Sequence, residues 1–200
     1  EIGVRLVGSE MCIRDRSCTV RLRQLTGGVF GDDNPKLERV KDMLEEITES
    51  GHKALIFSQW EQVTSVYKEA LKTYNPAYIV GAVDPENRQK EVDRFQNDPT
   101  CKVAIGTIGA MGTGLTMTAA SYVFFVDKRY WDAENKQAED RAHRIGTTNT
   151  VNVVSLVATN TVDEGIEEML RDNRALFDRV VEGKGSRVDV GEILRKILQY

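Results

Sequence analysis

The chain has few of the residues that stabilise a protein covalently or anchor it in a membrane. Of its 200 residues only three are cysteine and four are proline. The cysteines, Cys12, Cys18 and Cys101, lack the spacing of a metal site or a disulfide framework. This favours a reducing compartment, either a bacterial or phage cytoplasm or a nucleus, over secretion. No apolar run approaches the roughly 20 residues that a membrane helix requires, so we expect no membrane partner.

The chain also lacks an excess of positive charge. It has 27 Lys and Arg against 31 Asp and Glu, a net charge of −4. A mildly acidic chain is not an obvious nucleic-acid binder, so such a role would need a local basic patch or a partner domain. The length suits one domain, and 40% hydrophobic with 29% charged residues is typical of a globular protein.

The N-terminal segment has no helical or strand periodicity. One codon choice for residues 6–15, LVGSEMCIRD, resembles a translated transposase-type sequencing adapter, and Arg16 fits the codon that must follow. We therefore expect residues 1–16 to be an artefact that packs poorly, and exclude them from fold reasoning. The biological sequence then starts near Ser17 as an N-terminally truncated fragment. The alternative is a flexible natural N-terminus.

The remaining chain alternates strands and helices. Apolar runs predict five strands: KALIFS, AYIVGAV, KVAIGT, YVFFVD and TVNVVSLVA. Helical periodicity and capping residues predict the helices DDNPKLERVKDMLEEITESG, WEQVTSVYKEALKTY, one opening at Asp84-Pro85, NKQAEDRAHR, and one after a Thr161/Glu164 capping box. The alternation predicts an α/β fold, a parallel sheet with helices on both faces. We assign residues 17–182 to this domain and 183–200 to a linker and a terminal amphipathic helix.

In such sheets the functional residues lie beyond the carboxyl ends of the strands. We place these ends at Ser58-Gln59, Gly81, Thr107 and Asp127.

One of these ends, in IGTIGAMGTGLTMTAA, carries Gly106, Gly109, Gly112 and Gly114. Glycines there let backbone N–H groups approach a phosphate, although tight packing explains them equally well. The last three glycines and Asp127 also faintly resemble a dinucleotide-binding loop. That fingerprint has gaps of one and then two residues, and here the gaps are two and then one.

The segment QAEDRAHRIG is more informative. If it is helical, Gln137, Arg141 and Arg144 share one face, as an array for phosphate or carboxylate oxygens. The alternative is a solvated face on which Glu139 and Asp140 neutralise the arginines.

QAEDRAHRIG resembles motif VI of superfamily-two helicases in the form typical of the Swi/Snf family of DNA translocases. Further segments resemble this family in the same order, over residues 22–170. They are LRQLTGG with NPKLERVKDMLEE, ALIFSQW (motif IV), VDPENRQKEVDRFQND, IGTIGAMGTGLTMTAA (motif V), YVFFVDKRYWDAENKQ and VNVVSLVATNTVDEGIEEML.

The resemblance implies a RecA-like three-layer fold and a two-lobe ATPase. The sequence contains no G-x-x-x-x-G-K-[ST] and no D-E-x-H, so it corresponds to the second lobe, inactive alone. The implied partners are DNA, contacted at its backbone, and the N-terminal RecA-like lobe of the same polypeptide. The implied cofactors are ATP and Mg²⁺, the metal being held mainly by the first lobe and by no residue of this one.

The resemblance also assigns the site residues. The catalytic residues are Arg144, Arg141 and Gln137; the nucleotide-binding residues are Gly112, Thr113 and Gly114; the DNA-binding residues are Ser58, Gln59, Thr107 and Thr116. Two other functions stay open from the residues themselves: a dinucleotide-binding oxidoreductase domain, and a non-catalytic α/β interaction module.

Overall fold

A computed structural model describes residues 18–29, 34–112, 114–143 and 150–180, with the backbone alone over 175–180. The predicted adapter segment, Arg144 and the predicted linker and terminal helix lie outside these ranges. In the described residues, helix α1 spans 18–26. The elements that follow are α2 (Pro35–Glu49), β1 (Lys53–Ser58), α3 (Glu61–Ala70), β2 (Ala77–Ile79), α4 (Pro85–Asn97), β3 (Val103–Thr107), α5 (Ile108–Met111), β4 (Ala120–Phe125), α6 (Asp132–Glu139), β5 (Asn152–Ser155) and α7 (Val162–Val180).

The five described strands form one sheet in the order β2-β3-β1-β4-β5, and every adjacent pair is parallel. The α/β fold with helices on both faces of a parallel sheet is therefore confirmed. The strands β2 and β5 are shorter than predicted. Each pairs on one side only, and a turn closed by Val83 N–H to Val80 O at 3.2 Å follows β2.

The sheet separates two hydrophobic clusters because successive strand residues point to opposite faces. In β1, Leu55 and Phe57 pack with residues of α4, α5 and α6, whereas Ala54 and Ile56 pack with α2 and α3. All four side chains are fully buried. The continuous apolar run KALIFS is explained by this burial on both faces.

The ends of α2 form as the sequence predicts. The side chain of Asn34 accepts a hydrogen bond from Leu37 N–H at 3.0 Å, and Pro35 occupies the first turn. Gly51 follows the helix with a φ of 79°, a conformation that glycine adopts without a steric penalty. These local signals fix where the helix begins and ends.

The predicted capping box before α7 is replaced by another arrangement. The hydroxyl of Thr161 accepts from Asp163 N–H at 3.2 Å and donates to Ala158 O at 2.7 Å. The carboxylate of Asp163 turns back and accepts from Ala158 N–H at 3.3 Å. The helix begins as predicted, but these contacts take the Thr161 hydroxyl away from Glu164.

Candidate functional site

The carboxyl ends of β1 and β3 lie side by side. The parallel register pairs Ser58 with Thr107. After β3, the short helix α5 leads into a loop over residues 112 and 114–119 before β4 begins. The structure thus brings the candidate residues of two separate sequence segments to one edge of the sheet. Thr107 is half-buried there, as is Thr116 in the loop.

The glycines at the end of β3 and after it are present for two different reasons, close packing and backbone conformation. A Cβ atom at Gly106 would lie 2.0 Å from Ile79 O, and one at Gly112 would lie 2.6 Å from Ile108 O. At these two positions glycine is required by close packing. Gly114 differs, because it is exposed, has a φ of 73° and has open space where a Cβ would be. Thr113, between the last two, lies outside the described residues.

Arg141 is joined to this loop at two points. Its Nε donates to Gly112 O at 3.1 Å, and its carbonyl accepts from Met117 N–H at 3.0 Å. The side chain is half-buried. The structure therefore places the Arg141 guanidinium directly beside the glycine segment.

The predicted helix through QAEDRAHR is wrong in its bounds. Helix α6 begins at Asp132 and ends at Glu139, so Arg141 lies beyond it. The N–H groups of Arg141 and Ala142 bond three residues back, to Ala138 O at 3.2 Å and Glu139 O at 3.0 Å. The N–H groups of Asp140 and His143 still bond four residues back, to Lys136 O at 2.9 Å and Glu139 O at 3.2 Å. Gln137 is exposed on α6, whereas Arg141 lies two residues beyond its end.

The polar groups at the end of β1 bond to Asp127. The Ser58 hydroxyl is buried, donates to Asp127 Oδ2 at 2.5 Å and accepts from Trp60 N–H at 3.0 Å. The other oxygen, Oδ1, accepts from Gln59 N–H at 2.8 Å. Burial raises the pKa of Asp127, while the bonds from Ser58 and Gln59 oppose the shift. With both oxygens engaged inside the protein, Asp127 does not fit the ribose-binding role of a dinucleotide site.

Arg23 also organises this edge, and sequence reasoning missed it. Its side chain is 1% exposed, although the neighbouring Leu22 is 44% exposed. The guanidinium donates to Gln59 Oε1 at 3.2 Å and to Lys128 O, and lies 4.7 Å from the ring centroid of Tyr130. Hydropathy predicts the opposite, with Leu22 buried and Arg23 exposed. The resemblance of LRQLTGG to a known segment was the only available signal.

A buried ion pair joins the ends of four elements. Lys36 Nζ, near the start of α2, lies 2.5 Å from Asp163 Oδ2 and donates to Val126 O at 2.6 Å. Asp163 Oδ1 accepts from the Thr26 hydroxyl at 3.0 Å. Both charged side chains are less than a tenth exposed. These bonds fix α1, α2 and α7 against the end of β4.

The charged donors at this edge of the sheet are nitrogen groups. Across the residues that the structure describes, no three His, Cys, Asp or Glu side chains converge as metal ligands. A guanidinium beside a glycine-rich turn is instead a donor set for an anion. Within the same described residues, no helix has both the length and the apolar character needed to cross a bilayer.

Comparison with known proteins identifies the class. The family model described as "Helicase conserved C-terminal domain" matches residues 35–146, more than half of the chain. The chain therefore belongs to the helicase C-terminal domain family.

Individual relatives show which helicase C-terminal domains this chain is similar to. "Protein CHROMATIN REMODELING 19" of Arabidopsis thaliana is 33% identical over 174 residues, covering 82% of this chain and 23% of that protein. "Helicase SWR1" of Candida glabrata is 32% identical over 152 residues, covering 75% of this chain and 10% of the relative. The chain thus spans between about a tenth and a quarter of the length of these relatives.

Two solved structures have a fold similar to that of this chain. The C-terminal part of the Fun30 ATPase domain superposes with a TM-score of 0.66 at 28% identity, covering 70% of this chain and 47% of that one. The Sulfolobus solfataricus SWI2/SNF2 ATPase core domain gives 0.67 at 24% identity, covering 82% and 36%, and supports the fold alone. The predicted resemblance to the C-terminal RecA-like lobe of a Swi/Snf-family protein is confirmed.

Proposed function

We propose that this chain is the second ATPase lobe of an ATP-dependent double-stranded-DNA translocase. The observation that carries the proposal is the bond between Arg141 Nε and Gly112 O, which joins the arginine segment to the glycine loop. A matched relative of Schizosaccharomyces pombe, 30% identical over 164 residues, is named "ATP-dependent helicase fft2". The family and this name support ATP as the substrate.

In this proposal ATP lies between this lobe and the N-terminal RecA-like lobe of the same polypeptide. The first lobe supplies the phosphate loop and the main ligands of Mg²⁺, which neutralises phosphate charge when bound. We assign phosphate binding to the segment of Gly112, Thr113 and Gly114, with the exposed, positive-φ backbone of Gly114 as its main donor. Gly112 is a weaker candidate, because its N–H already donates to Ile108 O at 2.8 Å. The bond to Gly112 fixes the Arg141 guanidinium relative to that backbone.

Arg141 and Arg144 stabilise the negative charge that develops on the transferred phosphoryl group. An arginine acting in this way contributes about 10³–10⁵ in rate in phosphoryl transfer. Arg144 follows Arg141 by three residues in the sequence. Gln137, exposed on α6, orients groups near the γ-phosphate once the two lobes close.

We assign DNA-backbone contacts to Thr107, Thr116 and Gln59, which are half-buried near one edge of the sheet. Contacts to phosphates carry no sequence information, so translocation proceeds without reading bases. Ser58 is a weaker candidate than the sequence suggests. Its buried hydroxyl would have to leave Asp127 to reach a phosphate.

The cellular compartment of the protein is proposed from the same comparison. The relatives named above come from yeasts and a plant, so they do not support a bacterial or phage origin. We propose that the protein acts in a nucleus.

The test is DNA-stimulated ATP hydrolysis by the two-lobe protein, made by joining residues 17–200 to the coding sequence of the first lobe. We expect Arg141→Ala and Arg144→Ala each to reduce turnover by orders of magnitude, with a smaller change in ATP affinity. Arg144→Lys should restore little, because an ammonium cannot reproduce the planar fork. Arg39→Ala, an exposed arginine on α2, is the control. Normal turnover of both alanine variants would refute the proposal.

The chain by itself should hydrolyse no ATP, because half of the proposed site belongs to the other lobe. DNA-stimulated hydrolysis by the purified 200-residue chain would contradict the two-lobe proposal. The assay of the two-lobe protein separates the proposal from a non-catalytic α/β module, because that alternative predicts no hydrolysis even there.

A further inference from the structure

The loop over residues 114–119 forms no helix or strand, so its backbone polar groups need partners from elsewhere. One side chain bonds to two of them. Gln96 Nε2 donates to Thr116 O at 2.8 Å, and Gln96 Oε1 accepts from Ala119 N–H at 2.9 Å. Gln96 Nε2 also lies 3.4 Å from Thr118 Oγ1. A single carboxamide thus spans the C-terminal half of the loop.

Gln96 is held in place by the element that carries it. It lies in the last turn of α4, next to Phe95, which is fully buried in the cluster beneath that helix. Gln96 itself is half-buried. Because Phe95 anchors the turn in the core, the carboxamide is presented to the loop from a rigid position.

Arg141 meets the same loop through different atoms. Its Nε bonds to Gly112 O at 3.1 Å, and its carbonyl bonds to Met117 N–H at 3.0 Å. The Met117 amide therefore lies between the two groups that Gln96 binds. The loop is connected through Gln96 to α4 and through Arg141 to the segment after α6.

We propose that Gln96 is a positioning residue for phosphoryl transfer: its carboxamide fixes the loop against which Arg141 is held. This inference rests on the proposed function. The positioning role requires one hydrogen-bond donor and one acceptor in the same planar side-chain group. An amide provides both, and a carboxylate does not. Displacement of a catalytic group by about 1 Å can reduce turnover by about 10²-fold, so a released loop should affect turnover strongly.

The first experiment measures amide hydrogen exchange by NMR in the full 200-residue chain. In Gln96→Ala the Ala119 amide loses its acceptor, so its exchange should accelerate by at least about tenfold. In Gln96→Glu a carboxylate oxygen can still accept that bond, so exchange at Ala119 should stay near the wild-type rate. Unchanged exchange at Ala119 in Gln96→Ala overturns the proposal.

The second experiment measures ATP turnover in the two-lobe protein. Gln96→Ala and Gln96→Glu should both lower kcat by about ten- to a hundredfold, with a smaller change in KM for ATP. The alanine variant loses both bonds, and the glutamate variant loses the donor to Thr116 O. The matched control is Gln89→Glu, on the same helix, where the exposed side chain bonds to Asp93 at 2.9 Å. It should retain wild-type kcat.

The two experiments separate the possible failures. Wild-type kcat in both Gln96 variants overturns the positioning role. An inactive wild-type two-lobe protein refutes the proposed function and the catalytic consequence of Gln96. In that case the exchange result still shows whether Gln96 holds the loop. A loss of kcat in Gln96→Glu with normal exchange at Ala119 supports the proposal, because a general loss of stability would accelerate exchange at that amide as well.

Discussion

Replacing Lys36 with methionine should destabilise the protein strongly although most of the side-chain volume is kept. The change removes the ammonium that lies 2.5 Å from Asp163 Oδ2, where both side chains are less than a tenth exposed. It also removes the donor to Val126 O. Breaking a buried ion pair by deleting one partner typically costs about 3–5 kcal/mol, because the remaining charge stays buried and uncompensated.

The lower end of that range applies here. Asp163 keeps its bonds from the Thr26 hydroxyl at 3.0 Å and from Ala158 N–H at 3.3 Å. We therefore expect Lys36→Met to lower the free energy of unfolding by about 3 kcal/mol. With a urea slope of roughly 2 kcal/mol/M, the unfolding midpoint should fall by about 1.5 M.

Two companion variants make the test specific. Lys36→Met combined with Asp163→Asn should be more stable than Lys36→Met alone, because the amide carries no charge. Its single oxygen can accept from Ala158 N–H, while its NH2 group can donate to the Thr26 hydroxyl. Lys41→Met breaks an exposed pair with Glu38, where the side chains are 40% and 64% exposed, and should change stability by less than about 1 kcal/mol. The reasoning is refuted if Lys36→Met is no more destabilising than Lys41→Met.

Three further variants test other parts of the structure. Burial raises the pKa of Asp127, so the folded state binds that proton more tightly than the unfolded chain, where the pKa is about 3.9. The free energy of unfolding should therefore rise as the pH falls through the folded-state pKa of Asp127. Asp127→Asn should remove this pH dependence from urea unfolding, and parallel pH profiles for the wild type and the variant would contradict the prediction. Arg23→Met leaves acceptors on Gln59 and Lys128 without their donor, and should lower the unfolding free energy by about 2–4 kcal/mol, unlike an exposed control, Arg39→Met. Gly106→Ala would place a Cβ 2.0 Å from a backbone oxygen of β2, so thermal unfolding should show a large loss of stability, and a near-normal Tm would show that the sheet adjusts freely.

The capping signals of α2 and the apolar strands could be predicted because they depend on neighbours in sequence. Asn34 and Pro35 act on the first turn of their own helix, and KALIFS is apolar because both faces of β1 are buried. Strand–helix alternation then restricts the topology to a parallel sheet. The glycine and arginine segments were recognisable as candidate site segments through their resemblance to motifs V and VI, whereas their residues alone left tight packing and a solvated helix face as alternatives.

The sequence by itself determined the α/β fold, the order of its elements and the segments that form the candidate site. Tertiary structure alone decided that α6 ends at Glu139, that Arg23 is buried while Leu22 is exposed, and that the Ser58 hydroxyl bonds to Asp127. The physical reason is the range of the interactions. A helix cap or strand periodicity involves residues a few positions apart, whereas Arg23 and Lys128 are 105 positions apart and Ser58 and Asp127 are 69 apart. Such distant polar groups find their partners only after the sheet has assembled and has brought the carboxyl ends of its strands together.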